Sequence, residues 1–295
     1  MTLRAPERTG DGERSATIVA AARAAVLRYR NVADAERDGY KKFLPGIPLP
    51  VEHFTNYRNA FAAGIGPFDP SRPTSLIYRR TPQGGLVVAG VMYTAPNRFG
   101  AAQLDDRVPM SYGTWHRHVN FCWPPPALGH DPRFGFAGTL DTQQACDAAG
   151  GRFTPLVFNW MLHVWPLETE RAKVWAVDGD GDMHHHHAAG MLADQGALPI
   201  APAQLPALAI GAGDARRGAD LFAANCATCH GAQGANGPDA PRLAGSGLAA
   251  GQVAYMIRHP QAIDPRSTMP TLGLAVRDVA DVSAYVAELA KKPVP

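Results

Sequence analysis

Residues 218–230 read Gly-Ala-Asp-Leu-Phe-Ala-Ala-Asn-Cys-Ala-Thr-Cys-His, and this stretch decides the fold of the C-terminal part of the chain. It holds Cys226, Cys229 and His230 in the pattern C-x-x-C-H. Two thiols three positions apart lie on one turn and can add to the two vinyl groups of one porphyrin, while the next imidazole faces the iron. The pattern therefore predicts covalent attachment of haem c.

The sequence around this motif is similar to a class I c-type cytochrome over about 80 residues, from Ala212 to Val294. Helical periodicity at 215–225 and 276–291 brackets the motif, and Met269 follows His230 by 39 residues. The resemblance implies a small all-α domain in which the first and last helices cross at Gly218, Phe222 and Tyr285. It also implies that His230 and Met269 are the two iron ligands and that the domain carries single electrons.

Three alternatives to these assignments remain open in the sequence. The Cys-x-x-Cys pair is also compatible with zinc or with dithiol redox chemistry. Met256, inside a predicted helix, and His259 compete with Met269 as the second iron ligand.

The composition of the chain indicates a second, different domain before the cytochrome-like region. The chain has 295 residues, 46% of them apolar, and a net charge of only +2, which makes nucleic-acid partners unexpected. Thirty glycines and 26 prolines favour turns and long loops. We expect an α+β domain with an antiparallel sheet, containing helices at 11–42 and 142–149 and β-prone runs at 75–78, 86–93, 114–121 and 156–165.

These patterns divide the chain into an α+β domain at 1–187, an Ala/Pro-rich linker at 188–211 and a cytochrome domain at 212–295. Residues 20–177 are also similar to a group of uncharacterised exported bacterial domains, and no activity comes with that resemblance. The motifs that carry it are Ala-Glu-Arg-Asp-Gly-Tyr at 35–40, His53, Asp69-Pro70, Leu-Ile-Tyr at 76–78, Val-Met-Tyr at 91–93 and Leu-His-Val-Trp at 162–165.

Four histidines of the first domain form a candidate metal site. His116 and His118 are two apart in a β-prone run, so their side chains share one face of a strand. His163 lies 45 residues after His118 in a second such run between tryptophans, and His53 is a candidate fourth ligand. Imidazole sites of this kind suit copper, zinc or non-haem iron. The competing interpretation is a set of core histidines hydrogen-bonded to backbone.

The remaining cysteines, Cys122 and Cys146, permit two interpretations. They form a disulfide, or Cys122 serves as a thiolate ligand beside His118, as in type 1 copper sites. Haem c attachment and disulfides both occur outside the reducing cytoplasm, so we expect a periplasmic or otherwise exported protein. The segment at 16–22 is no intact export signal because Arg23 interrupts it, and no apolar run is long enough to span a membrane.

Asp178, Asp180 and Asp182 precede four consecutive histidines, His184 to His187. The run does not match a calcium loop, since Met183 stands where glycine is required and Ala189 where glutamate is required. We interpret it as an exposed loop, with metal capture and an engineered tag as the alternatives. His130 is expected in another exposed loop.

Two hypotheses of function follow. In the first, the first domain binds a mononuclear metal that exchanges electrons with the haem, and a small-molecule substrate reacts at the open coordination position of that metal. A redox partner protein is expected in addition. In the second, the chain is a non-catalytic electron carrier whose first domain is a docking module. A second transition metal at one equivalent per chain would favour the first hypothesis, and haem iron alone would favour the second.

Overall fold

A computed structural model describes residues 1–45, 51–129, 131–136, 138–178, 198, 200–238 and 240–292. Within this part of the chain, an N-terminal region combines helices with antiparallel sheet, and a C-terminal region is helical. The helices are α1 (Asp11–Arg28), α2 (Val32–Arg37), α3 (Tyr57–Ile65), α4 (Ala101–Arg107), α5 (Gln143–Ala148), α6 (Arg171–Val174), α7 (Ala215–Asn225), α8 (Ala227–His230), α9 (Ala250–Arg258), α10 (Pro260–Ile263) and α11 (Val276–Leu289). The strands are β1 (Lys41–Lys42), β2 (Glu52–Thr55), β3 (Ser75–Arg80), β4 (Leu86–Ala95), β5 (Val119–Trp123), β6 (Arg152–Leu156) and β7 (Trp160–Val164).

The larger sheet is antiparallel throughout, with strand order β1-β2-β3-β4-β7. Its two faces carry different neighbours because side chains alternate along each strand. One face, which includes Tyr78, packs against α1, and the Tyr78 hydroxyl donates a hydrogen bond to the Tyr29 carbonyl at 2.8 Å. The other face carries His53 and His163, so the candidate metal ligands lie on the side of the sheet away from α1.

The predicted strand at 156–165 is wrong in one respect, because the structure divides it between two sheets. β6 pairs with β5 in a separate two-stranded sheet, whereas β7 pairs with β4. The predicted strand at 114–121 changes sheets in the same way: His116 forms a single bridge with Met161, and only Val119 and later residues join β6. The run at 156–165 is apolar around the crossing except for Asn159, so its hydrophobic patterning gave little sign of a break.

The C-terminal region is built on the crossing of α7 and α11. A side chain at Gly218 would collide with the Asp281 carbonyl, so the close approach of the helices requires glycine there. The rings of Phe222 and Tyr285 pack beside the crossing at 5.4 Å, and Arg217 pairs with Asp278 and Asp281 of α11. The two helices occupy almost the bounds that periodicity predicted.

The N-terminal and C-terminal regions are in direct contact. The Ala102 amide, in the first turn of α4, donates to the Asp220 carboxylate of α7 at 2.6 Å. Leu205, in the stretch predicted as a linker, is buried in the core of the C-terminal region, and the Leu208 amide donates to the Gly251 carbonyl at 2.9 Å. None of the helices in the described part of the chain is long and apolar enough to cross a membrane.

Candidate functional site

The Cys-x-x-Cys-His motif lies directly after α7. Cys226 ends that helix, and α8 carries Cys229 and His230 on a single turn before Gly231 reverses the chain with φ of 81°. The structure leaves both cysteines as thiols. Burial raises the pKa of Cys226 to about 12, so this sulfur is protonated at neutral pH. The turn therefore presents two thiols and one imidazole together, as thioether attachment of a porphyrin requires.

The His230 ring is oriented by a backbone hydrogen bond. Its Nδ1 lies 2.9 Å from the Pro241 carbonyl oxygen, and since a carbonyl only accepts, Nδ1 carries the hydrogen. Burial lowers the pKa of His230, which keeps the ring neutral. In a neutral imidazole with Nδ1 protonated, Nε2 bears the lone pair. The second nitrogen of His230 is thus in the form that binds a metal.

Met269 lies in the loop between α10 and α11 and packs partly buried against the C-terminal core. Gln261 donates to the Met269 carbonyl at 2.9 Å, and the Met269 amide donates to Ser267 Oγ at 3.2 Å. These hydrogen bonds restrain the backbone of the loop at Met269. Met256, the competing ligand, also packs against this core from α9, while His259 stacks on Tyr255 with ring centroids 5.0 Å apart.

This donor set fits haem c. Two thiols on one turn, a neutral imidazole held through Nδ1 and a methionine thioether are the groups that anchor and ligate its iron. Their surroundings are apolar, as a porphyrin face requires, because the core of the region includes Leu221, Leu272 and Leu274. Cys226, Cys229, His230 and Met269 are accordingly the residues to hold it.

The structure brings the predicted metal ligands of the N-terminal region together as a histidine cluster, formed by His53, His116, His118 and His163. Ring centroids are 4.9 Å apart for His116 and His163, 5.6 Å for His53 and His163, and 6.0 Å for His116 and His118. Two imidazoles on one tetrahedral ion have centroids about 5 Å apart, given metal–nitrogen bonds of about 2.0–2.1 Å. Side chains from β2, β7 and the His116 bridge thus lie near one another.

The buried members of this cluster are neutral. Burial lowers the pKa of His53 to about 3, with a smaller contribution from His163, and burial also lowers the pKa of His163. His163 Nδ1 bonds to the Val177 carbonyl, and its Nε2 is buried with no hydrogen-bond partner among the described residues. A buried nitrogen lone pair of this kind is unusual in a folded protein.

The cluster nevertheless does not form a metal site in this structure. Across the described residues, no group of three or more His, Cys, Asp or Glu side chains is arranged to hold an ion. His118 explains part of this result, because its ring packs against Phe136 at 4.7 Å and Phe158 at 6.1 Å. The mononuclear site expected from His53, His116, His118 and His163 is therefore not supported, although the four residues are neighbours.

Cys122 is not a metal ligand, which corrects one of the two interpretations above. It forms a disulfide with Cys146, with the two Cα atoms 5.6 Å apart. α5 supplies Cys146 and β5 supplies Cys122, and the bridge packs against Phe134. His130 and the residues at 179–187, including the four consecutive histidines, lie outside the described residues.

Sequence reasoning missed two residues that connect the histidine cluster to the C-terminal region. Arg117 is only 8% exposed, and its Nη2 donates to Asn225 Oδ1 at 2.5 Å, next to Cys226. The Asn120 amide nitrogen donates to the Thr268 carbonyl at 2.6 Å, next to Met269. The position of Arg117 inside an aromatic β-prone run was visible in the sequence. Its partner Asn225 could not be identified from the sequence.

A family model described as cytochrome C oxidase, cbb3-type, subunit III matches residues 213–286. This range includes the Cys-x-x-Cys-His motif, Met269 and most of α11. The C-terminal region is thus a c-type cytochrome domain, a class whose cofactor is haem c and whose task is electron transfer. No curated protein and no solved structure matches the chain.

Proposed function

We propose that this chain is an exported single-electron carrier in which Cys226, Cys229, His230 and Met269 hold one haem c. The observation that carries the proposal is the His230 ring, neutral and fixed through Nδ1 on Pro241, on the same turn as two thiols. A dithiol redox centre gives no reason for this adjoining oriented imidazole, and among the described residues no group of three or more His, Cys, Asp or Glu side chains is arranged to hold zinc.

The chain's residues prepare a site in which electron transfer needs little rearrangement. When bound, haem c supplies a one-electron iron couple. Cys226 and Cys229 hold it covalently, and His230 keeps one nitrogen lone pair directed away from Pro241. Met269 would supply the second iron ligand, which would leave no position open to a substrate and favours electron transfer over substrate binding. The surrounding apolar side chains exclude water, so the charge on the iron is weakly screened.

The partner of such a carrier is another redox protein that docks transiently. Export, to the periplasm or an equivalent compartment, agrees with thioether chemistry and with the Cys122–Cys146 disulfide, since both belong to compartments outside the reducing cytoplasm. In this proposal the N-terminal region is packed against the carrier and is not a separate enzyme.

Covalent attachment tests the proposal directly. The chain is expressed with a haem c maturation system, and haem retention is measured after acid–acetone extraction. We expect the wild type to retain haem and the Cys226→Ser/Cys229→Ser variant to lose it. The matched control, Cys122→Ser/Cys146→Ser, removes two sulfurs elsewhere and keeps the haem. Extraction of all haem from the wild type would contradict the proposal.

A second candidate function is a metal-dependent oxidoreductase, and the buried unpartnered Nε2 of His163 favours it. In this candidate the histidine cluster closes by small side-chain rotations around copper, zinc or non-haem iron, and a small-molecule substrate binds at an open position. Metal analysis of holoprotein tests it: a second metal at one equivalent, lost in His163→Ala but retained in the exposed His259→Ala, supports the enzyme. Haem iron alone excludes it.

A further inference from the structure

One segment of the N-terminal region reaches both halves of the haem-binding residues. Arg117 contacts Asn225 beside Cys226, and Asn120 contacts Thr268 beside Met269. Between them, Val119 packs against the core of the cytochrome domain. Residues 117–120, which we call the bridging segment, therefore lie against the attachment turn and against the loop that carries Met269.

The position of Arg117 is unusual because its charge is buried without an anion. The guanidinium carbon lies 3.8 Å from the centroid of the Trp160 ring, and Nη1 is buried without a hydrogen-bond partner in the described part of the chain. No carboxylate among the described residues is within ion-pair distance of it. Burial lowers the pKa of Arg117 to about 10, so the group remains charged at neutral pH.

Cys226 and the amino group of Met1, the titratable groups that interact electrostatically with Arg117, do not neutralise this charge. Cys226 interacts electrostatically with Arg117, but burial keeps its thiol protonated, and a thioether has no proton to lose. Arg117 thus holds an uncompensated positive charge against the residue that anchors the haem. A buried charge without an anionic partner costs stability.

Asn120 contacts the loop that carries Met269, and its backbone has a conformation that most residues avoid. Its φ is 54°, in the left-handed region, and Asn tolerates that region better than most residues. The register of β5 with β6 continues on both sides of Asn120, and its side-chain amide donates to the Thr268 carbonyl. A local feature of the N-terminal region thereby fixes the loop next to Met269.

We propose that the bridging segment completes the haem site: Arg117 raises the reduction potential of the haem, and Asn120 positions the loop that carries Met269. The inference rests on the proposed function, because it concerns the same haem. The oxidised haem has one positive charge more than the reduced haem. A fixed cation nearby therefore disfavours oxidation, and its effect is larger in a site shielded from water.

Spectroelectrochemical titration of holoprotein tests the charge. We expect Arg117→Met to shift the redox equilibrium about tenfold toward the oxidised form, a fall of about 59 mV for a one-electron couple. Arg117→Lys keeps the charge, so its reduction potential should stay close to that of the wild type. Arg133→Met is the matched control, since it removes the same charge from an exposed arginine paired with Asp131 and leaves the potential nearly unchanged.

The sulfur-to-iron charge-transfer band shows whether Met269 still binds in each variant. A fall in potential with that band intact supports the role of charge. An Arg117→Met shift no larger than the Arg133→Met shift overturns it. Arg117→Gln, neutral but polar, replaces the methionine variant if that one does not accumulate as holoprotein. Failure to attach haem overturns both proposals, whereas unchanged potentials in red holoprotein overturn this inference alone.

The positioning role of Asn120 has its own test. Asn120→Gly keeps the left-handed backbone but removes the amide that holds Thr268. We expect free imidazole to displace Met269 with at least fivefold higher apparent affinity, because the loop is less restrained. The control is Asn31→Gly, which removes the cap of α2 far along the chain. Equal imidazole affinities in both variants and the wild type exclude the role.

Discussion

The cytochrome domain and the histidine cluster use the same side-chain chemistry in opposite ways. In the former, two thiols and an imidazole lie within five consecutive residues, so one local turn assembles them. In the latter, histidines from β2, β7 and the His116 bridge meet only when the sheet has formed. A contiguous motif brings its ligand-binding groups together by local structure, whereas a dispersed cluster depends on tertiary structure to become either a site or a core.

The largest loss of stability is expected at the helix crossing of the cytochrome domain, where there is no space for a side chain. Gly218→Ala places a methyl group against the Asp281 carbonyl and should destabilise the domain by on the order of 4 kcal/mol. The expected result is poor haem loading and early loss of the Soret band in urea. Gly211→Ala is the control, because a side chain there meets open space. Tolerance of Gly218→Ala would mean that the helix crossing is not close in solution.

A second substitution should destabilise only the N-terminal region, which contains the histidine cluster. Removing the disulfide with Cys122→Ala/Cys146→Ala should destabilise the N-terminal region by about 3 kcal/mol, because the unfolded chain regains the freedom of a loop spanning 24 positions. Tryptophan fluorescence in urea measures this, since Trp115, Trp123, Trp160, Trp165 and Trp175 all lie in that region. The haem spectrum should remain that of the wild type. A parallel loss of the Met269 band would show that the two regions unfold as one.

The ligand assignment within the cytochrome domain is tested by methionine replacement. Met269→Ala should abolish the sulfur-to-iron charge-transfer band and lower the potential by on the order of 100 mV, or about 2.3 kcal/mol per electron. Met256→Ala, in a residue packed on the same core, should preserve the band. The reverse pattern would assign the iron ligand to α9.

Per pH unit, the smallest effect concerns His53 and His163 of the histidine cluster. Because burial lowers the pKa of His53 to about 3 and also lowers that of His163, both rings gain protons on unfolding in acid. Their contribution to stability is complete above about pH 6.5 and declines as pH falls toward 3, by at most about 1.4 kcal/mol per pH unit for each ring.

Urea midpoints measured with a chelator from pH 7 to pH 4 test this dependence. We expect a shallower slope for His53→Phe and an unchanged slope for the exposed His259→Ala. A wild-type stability that is flat across this range would show that the cluster is hydrated in solution.

Local patterns predicted local structure well. Periodicity predicted α7 at 215–225 and placed α11 within two residues, because both helices carry one continuous apolar stripe. The same approach failed at 156–165, where the chain leaves one sheet for the other and Asn159 is the only polar residue at the crossing. Neither Arg117 nor Asn120 was foreseen, because each acts on a partner more than 100 residues away. Contacts between residues far apart in the sequence could not be predicted from local patterns.

The order of the cysteines has a consequence for biosynthesis. If the chain is exported with its N-terminus first, as the proposed function implies, Cys122 and Cys146 emerge before Cys226, and an oxidant that joins successive cysteines meets the native pair first. Once that pair has closed, Cys226 and Cys229 are the only thiols left for the porphyrin. With the two regions in the reverse order, the attachment thiols would meet the oxidant first. The sequence of emergence thus separates two sulfur chemistries that otherwise compete.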